Sequence, residues 1–227
     1  MTEVLLAIDT ATSAISTAVL IDGEVHAQRS VIDPRRHAEV LAPSIDRVLR
    51  EASLTPADLD AVAVGIGPGP FTGLRVGIVT ATTLGWARGI PVHGVCSLDA
   101  LAHEYAGGHT GDVVVATDAR RKEVYWARYV ARDGVAVRQT DPAVCRPADL
   151  PDDIRTLPAV GRAAVLYPAD VPYAAHPLDV SAGALGLVAL ARLAAGEALP
   201  VRPLYLRRPD VHESTGPKST LLQGRSS

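Results

Sequence analysis

Two aspartates, each at the end of an apolar run, are the residues best suited to chemistry in this sequence. Asp9 follows the run VLLAI and precedes Thr10 and Thr12, whereas Asp118 follows VVVAT and comes shortly before Arg120. A carboxylate at a strand end can hold Mg²⁺, and neighbouring hydroxyl or guanidinium groups can contact a phosphate. These five residues therefore form a candidate nucleotide cleft, which we regard as vestigial.

The loop after Asp9 also fits a purely structural role. Its sequence, DTATS, contains no glycine, and phosphate-binding loops need glycine so that backbone N–H groups can come close to the ligand. In this interpretation Asp9 and Asp118 end their strands and accept hydrogen bonds from nearby amides. The residue types alone leave both interpretations open.

The segment GPGPFTGLRVG, residues 67–77, is the most distinctive stretch of the chain. It combines a Gly-Pro loop with the start of a helix, which we predict to have Thr72 as its N-cap and to end near Arg88. The segment lacks the GK[ST] of a P-loop and the GxGxxG spacing of a dinucleotide-binding loop. The sequence therefore assigns this loop to neither class of nucleotide site.

Small residues recur every four positions along this predicted helix, at Gly73, Gly77, Ala81 and Gly85. Such a stripe lets a neighbouring element come close, and that neighbour is either the chain's own sheet or a helix of another subunit. The rest of the helix is also apolar, and a helix that is apolar nearly all round must be covered on more than one side. We therefore expect one face on the sheet and another face on a second subunit.

Other catalytic and metal-binding motifs do not occur in the sequence. Its 7 histidines form no HxxxH or HExxH pair, and its 2 cysteines, Cys96 and Cys145, form no CxxC pair. We expect both cysteines to be buried in a protein of the reducing cytoplasm, and His37 to be a helix cap or a surface residue. We predict no metal site and no catalytic residue.

The elements that position these residues follow a pattern that occurs twice. In each half, an apolar strand ends at an aspartate and is followed by two strands around an Asp-Gly turn, a strong hairpin signal. The predicted strands are 4–8, 14–21 and 24–31 in the first half and 113–117, 124–130 and 135–140 in the second. Further predicted elements are strands at 59–66, 91–95 and 159–160, and helices at 36–52, 72–88, 97–105 (capped by Ser97) and 181–195.

This repetition predicts a duplicated α/β unit, with lobes at residues 1–106 and 111–205 and a polar tail at 206–227. The chain of 227 residues is long enough for two small lobes. Its net charge of −3 gives no global field that attracts nucleic acid, and aromatic residues make up only 4%. The N-terminus lacks the features of a signal peptide, and no run approaches the length of a membrane span.

Four stretches, LAIDTATSAISTAVL, GPGPFTGLRVGIVTATTLG, DARRKEVYWARY and PLYLRRPDV, together resemble the bacterial TsaB (YeaZ) family over nearly the whole chain. The resemblance implies two RNase H-like lobes of the actin/Hsp70/sugar-kinase class, with the second lobe reduced. It also implies a TsaD-like catalytic partner and a TsaE-like ATPase. With these, TsaB-like proteins help to transfer a threonylcarbamoyl group to N6 of adenosine 37 in ANN-decoding tRNAs.

The sequence departs from the catalytic relatives at their HxxxH metal pair, because Ser97 and Leu101 stand at those positions in our alignment. The resemblance therefore implies a noncatalytic subunit with no cofactor of its own, while ATP and a metal belong to the catalytic partner. tRNA is expected to bind mainly through the complex. The short basic runs, 120–122 and 207–208, are more typical of solvated surface than of an RNA site.

The resemblance also implies that helices 36–52 and 72–88 pair with the same helices of the TsaD-like partner, or of a second copy when the chain is alone. The candidate interface residues are Leu41, Ile45, Gly73, Leu74, Gly77, Ile78, Ala81, Leu84 and Gly85. Two alternatives stay open: an autonomous actin-like ATP-dependent enzyme that uses Asp9 and Asp118, and a metallopeptidase.

Overall fold

A computed structural model describes residues 3–207 of the chain. Its first sheet has the order β3-β2-β1-β4-β5, in which β1 is antiparallel to β2 and parallel to β4. Asp22 and Gly23 join β2 to β3 with positive φ angles of 51° and 84°, as a tight hairpin turn requires. The strands are β1 (Val4–Asp9), β2 (Ala14–Ile21), β3 (Glu24–Ile32), β4 (Ala61–Gly65) and β5 (Val92–Val95).

The second sheet repeats this topology. Its order, taken from the hairpin side, is β8-β7-β6-β10-β11, with antiparallel pairing up to β6 and parallel pairing after it. The predicted duplication and the fold of two RNase H-like lobes are therefore confirmed, and β10 and β11, of 2 residues each, show the reduction of the second lobe. The strands are β6 (Gly111–Asp118), β7 (Val124–Arg132), β8 (Val135–Arg138), β9 (Ala143–Cys145, paired with β7), β10 (Ala159–Val160) and β11 (Ala174–Ala175).

Two helices cover the outer face of the first sheet, where Leu6 and Ile8 of β1 pack against Leu41 and Leu74. The described helices are α1 (His37–Glu51), α2 (Phe71–Arg88), α3 (Ser97–Ala106), α4 (Asp152–Arg155), α5 (Ala163–Leu166) and α6 (Ala182–Ala194). The two that cover this outer face are α1 and α2.

Helices α3 and α6 pack against each other between the two sheets. Helix α3 follows the first sheet in sequence but packs on β6, β7 and β8, whereas α6 follows the second sheet and packs on β1 and β2. Leu98 of α3 and Leu185 of α6 are fully buried in one core cluster with Leu5 and Tyr129, which belong to different sheets. The packing therefore crosses the predicted division between residues 1–106 and 111–205 in both directions.

Two predicted helix caps are wrong. Helix α2 begins at Phe71 after Pro70, whose φ of −57° suits the entry to a helix, and Thr72 does not cap it. Ser97 is the first residue inside α3 and Cys96 occupies the N-cap position, and the Ser97 hydroxyl donates its hydrogen bond to Asp9. The predicted tail from 206 onward lies outside the described residues except for Leu206 and Arg207.

Candidate functional site

Asp9 lies at the end of β1 and is fully buried. Its carboxylate accepts a hydrogen bond of 2.6 Å from the Ser97 hydroxyl and one of 2.9 Å from the Ala11 N–H. A Cβ atom on Gly65 of the next strand would lie 1.9 Å from Asp9 Oδ2, so only glycine fits beside it. Burial raises the pKa of Asp9 to about 6, although the two hydrogen bonds act in the opposite direction.

Asp118 ends β6 and makes the same local turn as Asp9. Its carboxylate accepts from the Arg120 N–H at 2.8 Å, two residues ahead, just as Asp9 accepts from Ala11. Asp118 is only half-buried, and one of its oxygens lies 3.2 Å from the Arg120 guanidinium. Both aspartates therefore carry out the structural role considered from the sequence.

The surroundings of Asp9 do not fit a direct ligand of a nucleotide-bound Mg²⁺. Such a ligand presents carboxylate oxygens to the ion, but both Asp9 oxygens accept hydrogen bonds from within the chain. No part of the side chain reaches solvent. A mechanism that uses Asp9 to position Mg-ATP would first require this hydrogen-bonded environment to open.

The glycines of GPGPFTGLRVG are explained by the loop after β1, which packs directly against them. Thr10 is buried, donates its hydroxyl to the Gly73 carbonyl at 2.8 Å, and accepts from the Gly77 N–H at 3.1 Å. A Cβ on Gly77 would lie 2.4 Å from Thr10 Oγ1, and a Cβ on Gly69 would lie 2.4 Å from the Ala11 carbonyl oxygen. The glycine-free loop DTATS and this glycine-rich segment are two sides of one contact.

The remaining small residues of the stripe also face the chain's own sheet. A Cβ on Gly85 would lie 2.2 Å from a methyl group of Val92 in β5, and Ala81 has no exposed surface. Tight packing within the chain thus accounts for the spacing of four. The stripe is not available to a second subunit in this structure.

Four of the five predicted cleft residues line cavities between the lobes. Thr10, Thr12 and Arg120 line a cavity of about 280 Å³ together with Arg35 and Thr72. Thr12, Asp118 and Arg120 also line a smaller space of about 10 Å³. Asp9 lines neither of them.

His37 is buried at the start of α1, which differs from the expected cap or surface position. Its Nε2–H donates to the Thr12 carbonyl at 3.0 Å, so the ring fixes the same loop that holds Thr10. Cys96 is buried as expected, but Cys145 is only half-buried. His37 was correctly placed at the start of a helix, but sequence spacing does not say which way a ring points.

A groove between α1 and α2 is the largest apolar concavity that we describe, with a volume of about 650 Å³. Ile45 and Leu49 of α1 and Val79, Leu84 and Ala87 of α2 line it. Charged and polar groups occur at its rim, where Asp46 and Arg50 form an ion pair.

The outer face of α2 carries large exposed apolar side chains. Val79 is 59% exposed and Trp86 is 87% exposed, although each is large and apolar. They lie on the face opposite Gly77 and Gly85, so α2 has one face on the sheet and one uncovered apolar face. Val79 and Trp86 are two helical turns apart, with Thr82 and Thr83 exposed between them, and large exposed apolar side chains beside an apolar groove are typical of an interaction site.

Most of the predicted interface residues prove to be buried inside the chain. Only Ile45 and Leu84 of that set line the groove, and the others pack against the first sheet or the loop after β1. The buried members are Leu41, Ile45, Gly73, Leu74, Gly77, Ile78, Ala81 and Gly85, and Ile45 is the one of these that also lines the groove. The exposed residues Val79 and Trp86 were not in the predicted set, although an apolar face opposite a glycine stripe is a signal that could have pointed to them.

The positions aligned with the HxxxH pair serve the fold here. The Ser97 hydroxyl binds Asp9, and Leu101 has no exposed surface in the core between the sheets. Within residues 3–207, no group of three or more His, Cys, Asp or Glu side chains is arranged to hold a metal ion. None of the helices described in that range is long and apolar enough to cross a membrane.

Comparison with known proteins gives a consistent result. The family model described as "TsaD: tRNA N6-adenosine threonylcarbamoyltransferase" matches residues 18–224. An uncharacterized protein of Mycobacterium leprae is 43% identical over 227 residues, which cover 98% of this chain and 60% of that protein. The "tRNA threonylcarbamoyladenosine biosynthesis protein TsaB" of Escherichia coli is 37% identical over 145 residues, or 63% of this chain and 62% of that protein.

The chain thus spans about six tenths of the length of these two relatives. Among solved structures, YeaZ from Pseudomonas aeruginosa superposes with a TM-score of 0.78 at 31% identity, over 90% of this chain and 100% of that one. Both the sequence match and the structural match extend across the two sheets. The chain therefore belongs to the TsaB (YeaZ) family, within the wider group that the TsaD family model describes.

Proposed function

We propose that this chain is a noncatalytic subunit of the complex that transfers threonylcarbamoyl to N6 of adenosine 37 in ANN-decoding tRNAs. Its relatives in Escherichia coli and Bacillus subtilis carry the name tRNA threonylcarbamoyladenosine biosynthesis protein TsaB, which supports a role in that pathway. In this proposal a TsaD-like subunit performs the chemistry and a TsaE-like ATPase assists it. tRNA binds mainly to the assembled complex, in the cytoplasm.

The uncovered apolar face of α2, with the groove beside it, is the observation that carries the proposal. Val79 and Trp86 present large apolar side chains next to a groove of about 650 Å³. Interfaces draw most of their affinity from a few such side chains, with Trp among the most frequent. The proposal assigns this surface to the TsaD-like subunit, or to a second copy of the chain when that subunit is absent.

The burial of Asp9 supports a noncatalytic role for the chain. Asp9 is sealed by Ser97 and Ala11, and Ser97 stands where catalytic relatives carry a metal-binding histidine in our alignment. We therefore place ATP and any metal ion on the catalytic partner. The alternative of an autonomous ATP-dependent enzyme requires Asp9 to contact Mg²⁺, and no contact of Asp9 favours it.

A modification assay tests the proposal directly. The full chain, the TsaD-like subunit and the TsaE-like ATPase from the same organism are combined with tRNA, ATP and the threonylcarbamoyl donor, and modified adenosine is quantified by mass spectrometry. We expect strong modification with the chain present and at least about tenfold less without it. Equal modification with and without the chain would contradict the proposal.

Asp9→Asn separates the subunit role from the enzyme alternative. Asparagine keeps an oxygen for the Ala11 N–H and presents an amide to Ser97, so the fold is retained. We expect this variant to support full modification in the same assay. Calorimetry of the isolated chain with ATP and Mg²⁺ is the companion measurement, and micromolar binding that Asp9→Asn abolishes would favour the enzyme.

A further inference from the structure

The start of α2 carries an exposed cluster of aromatic and basic side chains that the α1–α2 groove does not include. Phe71 is 42% exposed and Tyr205 is 41% exposed, and their ring centroids lie 5.2 Å apart. The Arg75 guanidinium lies 3.9 Å from the centroid of the Phe71 ring, and its Nε donates to the Tyr205 hydroxyl at 3.2 Å. An aromatic ring under a guanidinium plane forms a flat, cationic, exposed surface.

The loop between β6 and β7 places more cations beside this surface. Arg120, Arg121 and Lys122 are exposed, and all three have positive φ angles, of 62°, 54° and 61°. Non-glycine residues rarely adopt this backbone conformation, and it persists only where the surroundings enforce it. The backbone of this turn is therefore strained, and the turn presents three consecutive basic side chains.

Contacts from the C-terminal segment hold that loop in place. Arg207, two residues after Tyr205, donates to the Ala119 carbonyl at 3.1 Å and forms an ion pair with Glu123. Arg120 also shares the cavity of about 280 Å³ with Arg35 and Thr72. The loop, the 205–207 segment and the first turn of α2 are therefore parts of one surface, which we call the basic-aromatic patch: Arg35, Phe71, Arg75, Arg120, Lys122 and Tyr205.

The patch has more positive than negative charge, although the whole chain has a net charge of −3. Two carboxylates lie next to it, Asp118 beside Arg120 and Glu123 beside Arg207. Across residues 3–207, no carboxylate forms an ion pair with Arg75 or Lys122. Among those residues, no carboxylate neutralises either charge, although the Arg75 guanidinium stacks on Phe71 and donates to Tyr205.

We infer that the basic-aromatic patch binds RNA, with its cations on the phosphodiester backbone and its aromatic-guanidinium surface against an unpaired base. Proteins that recognise single-stranded segments of RNA use this combination, because every base has a face that stacks on aromatic rings or guanidinium planes. The inference rests on the proposed function, since it assigns part of the tRNA contact to this chain in addition to the catalytic subunit.

The position of the patch is compatible with simultaneous binding of the catalytic subunit. The patch lies at the first turn of α2, whereas the groove involves Val79 to Ala87. Along the helix, at about 1.5 Å per residue, Phe71 is about 12 Å from Val79 and Arg75 is about 6 Å from it. The patch therefore borders the groove without sharing a residue with it, so an RNA on the patch would lie directly beside a partner in the groove.

Charge reversal within the patch tests the inference. The full chain, alone and with the TsaD-like subunit, is titrated against a fluorescently labelled tRNA transcript, and binding is followed by anisotropy at two salt concentrations. For Arg75→Glu with Lys122→Glu we expect at least about tenfold weaker binding than for the unmodified chain. We also expect a plot of log K against log salt whose slope is shallower by about 1.4 to 1.8, because two phosphate contacts are lost.

Two further pairs of substitutions serve as controls. Arg132→Glu with Arg29→Glu reverses two exposed charges outside the patch, and its affinity for RNA should stay within about twofold of the unmodified chain. Arg75→Gln with Lys122→Gln removes charge without reversing it and should give an intermediate loss. Thermal unfolding of each variant confirms that the fold is intact.

Unchanged RNA affinity of the charge-reversed patch, both alone and in the complex, would overturn the inference. So would a loss of binding to the TsaD-like subunit with RNA affinity unchanged, because the patch would then be a protein-docking surface. A different result would contradict the proposed function, namely a chain that neither binds the catalytic subunit nor supports modification. RNA binding by the isolated chain is measured without that subunit, so the two failures are distinguishable.

Discussion

At the scale of single residues, the site depends on how closely α2 approaches the loop after β1. Thr10 is hydrogen-bonded to the backbone at Gly73 and Gly77. The buried Asp9 carboxylate accepts hydrogen bonds from the Ser97 hydroxyl and the Ala11 N–H. These contacts leave no room for side chains at the glycines. The loop that resembles a nucleotide-binding element therefore acts as a packing surface for α2.

Gly77→Ala tests this contact. Alanine favours a helix over glycine by about 1 kcal/mol, but its Cβ would lie 2.4 Å from Thr10 Oγ1. We expect overpacking to prevail, so that the free energy of unfolding falls by about 1–3 kcal/mol in urea denaturation. Gly108→Ala is the matched control, because nothing lies within 4 Å of its added Cβ. A Gly77→Ala protein at least as stable as the control would show that α2 can move away from Thr10.

The raised pKa of Asp9 predicts that stability falls as the pH rises through about 6. Its pKa is raised from 3.8 to about 6 in the folded protein, so the folded state favours the protonated form. Its contribution to stability is therefore fully present below about pH 4 and is lost as the pH rises through about 6. Relative to Asp9→Asn, the unmodified protein should lose on the order of 3 kcal/mol between pH 4 and pH 7. Parallel pH profiles of the two proteins, measured by urea denaturation, would contradict this.

At the scale of elements, α2 is a helix with two apolar faces and two different tasks. One face carries Gly77 and Gly85 and packs on the first sheet, and the other carries Val79 and Trp86 and is uncovered. Because exposed large apolar side chains favour association, we expect this second face to mediate pairing of two copies when no other partner is present. The four-residue stripe determines how α2 packs within the chain, and we propose that the opposite face determines what it binds.

Val79→Asp with Trp86→Glu tests the pairing of copies. We expect at least about tenfold weaker self-association in analytical ultracentrifugation, because two charges would have to be buried. Val135→Glu with Val137→Asp is the matched control on β8, where the two valines are 58% and 55% exposed. If the β8 pair weakens self-association and the α2 pair does not, the contact between copies is on the second sheet.

The strand and helix pattern was predictable from the sequence because it depends on local signals. The two Asp-Gly hairpins and the apolar runs led to the duplicated topology, and the long helices followed from spacing. The small elements β9, β11, α4 and α5 were missed, because elements of 2 to 4 residues carry too few positions to show a period. The cap at Ser97 was wrong by one residue, since Cys96 occupies the N-cap position, and the Ser97 hydroxyl instead donates to Asp9, 88 residues away in sequence.

The orientation of α2 on the first sheet was the least predictable part of the site. Spacing correctly identified α1 and α2 as apolar, but it did not say which face of α2 meets the sheet. The glycine stripe allowed either answer, and the deciding contacts are with Thr10 and with Val92 of β5. The basic-aromatic patch could not be predicted from the sequence either, because Phe71 and Tyr205 are far apart in sequence and come into contact only in the fold.

At the scale of the whole molecule, a buried carboxylate joins the two halves. Asp99 of α3 is 4% exposed and accepts from the Tyr129 hydroxyl at 2.7 Å and from Arg192 of α6 at 2.8 Å. The Arg138 guanidinium of β8 lies 3.4 Å from it. One side chain thus connects α3 with two strands of the second sheet and with the helix that covers the first.

Asp99→Ala should therefore destabilise the whole molecule. It leaves two guanidinium groups and a phenol without their shared acceptor, and loss of one partner of a buried charge network costs about 3–5 kcal/mol. Asp152→Ala is the control, because that carboxylate is 93% exposed beside Arg155 and contributes at most about 1 kcal/mol. Equal free energies of unfolding for the two variants would show that other contacts hold the halves together.

The most direct test of the account is the affinity of the chain for its TsaD-like partner, measured by calorimetry. Val79→Asp with Trp86→Glu should raise the dissociation constant at least about a hundredfold and lower tRNA modification in parallel, because the two large apolar side chains of α2 with the highest exposed fractions are lost. The Val135→Glu, Val137→Asp pair should bind like the unmodified chain. An unchanged dissociation constant for the α2 pair would contradict the account.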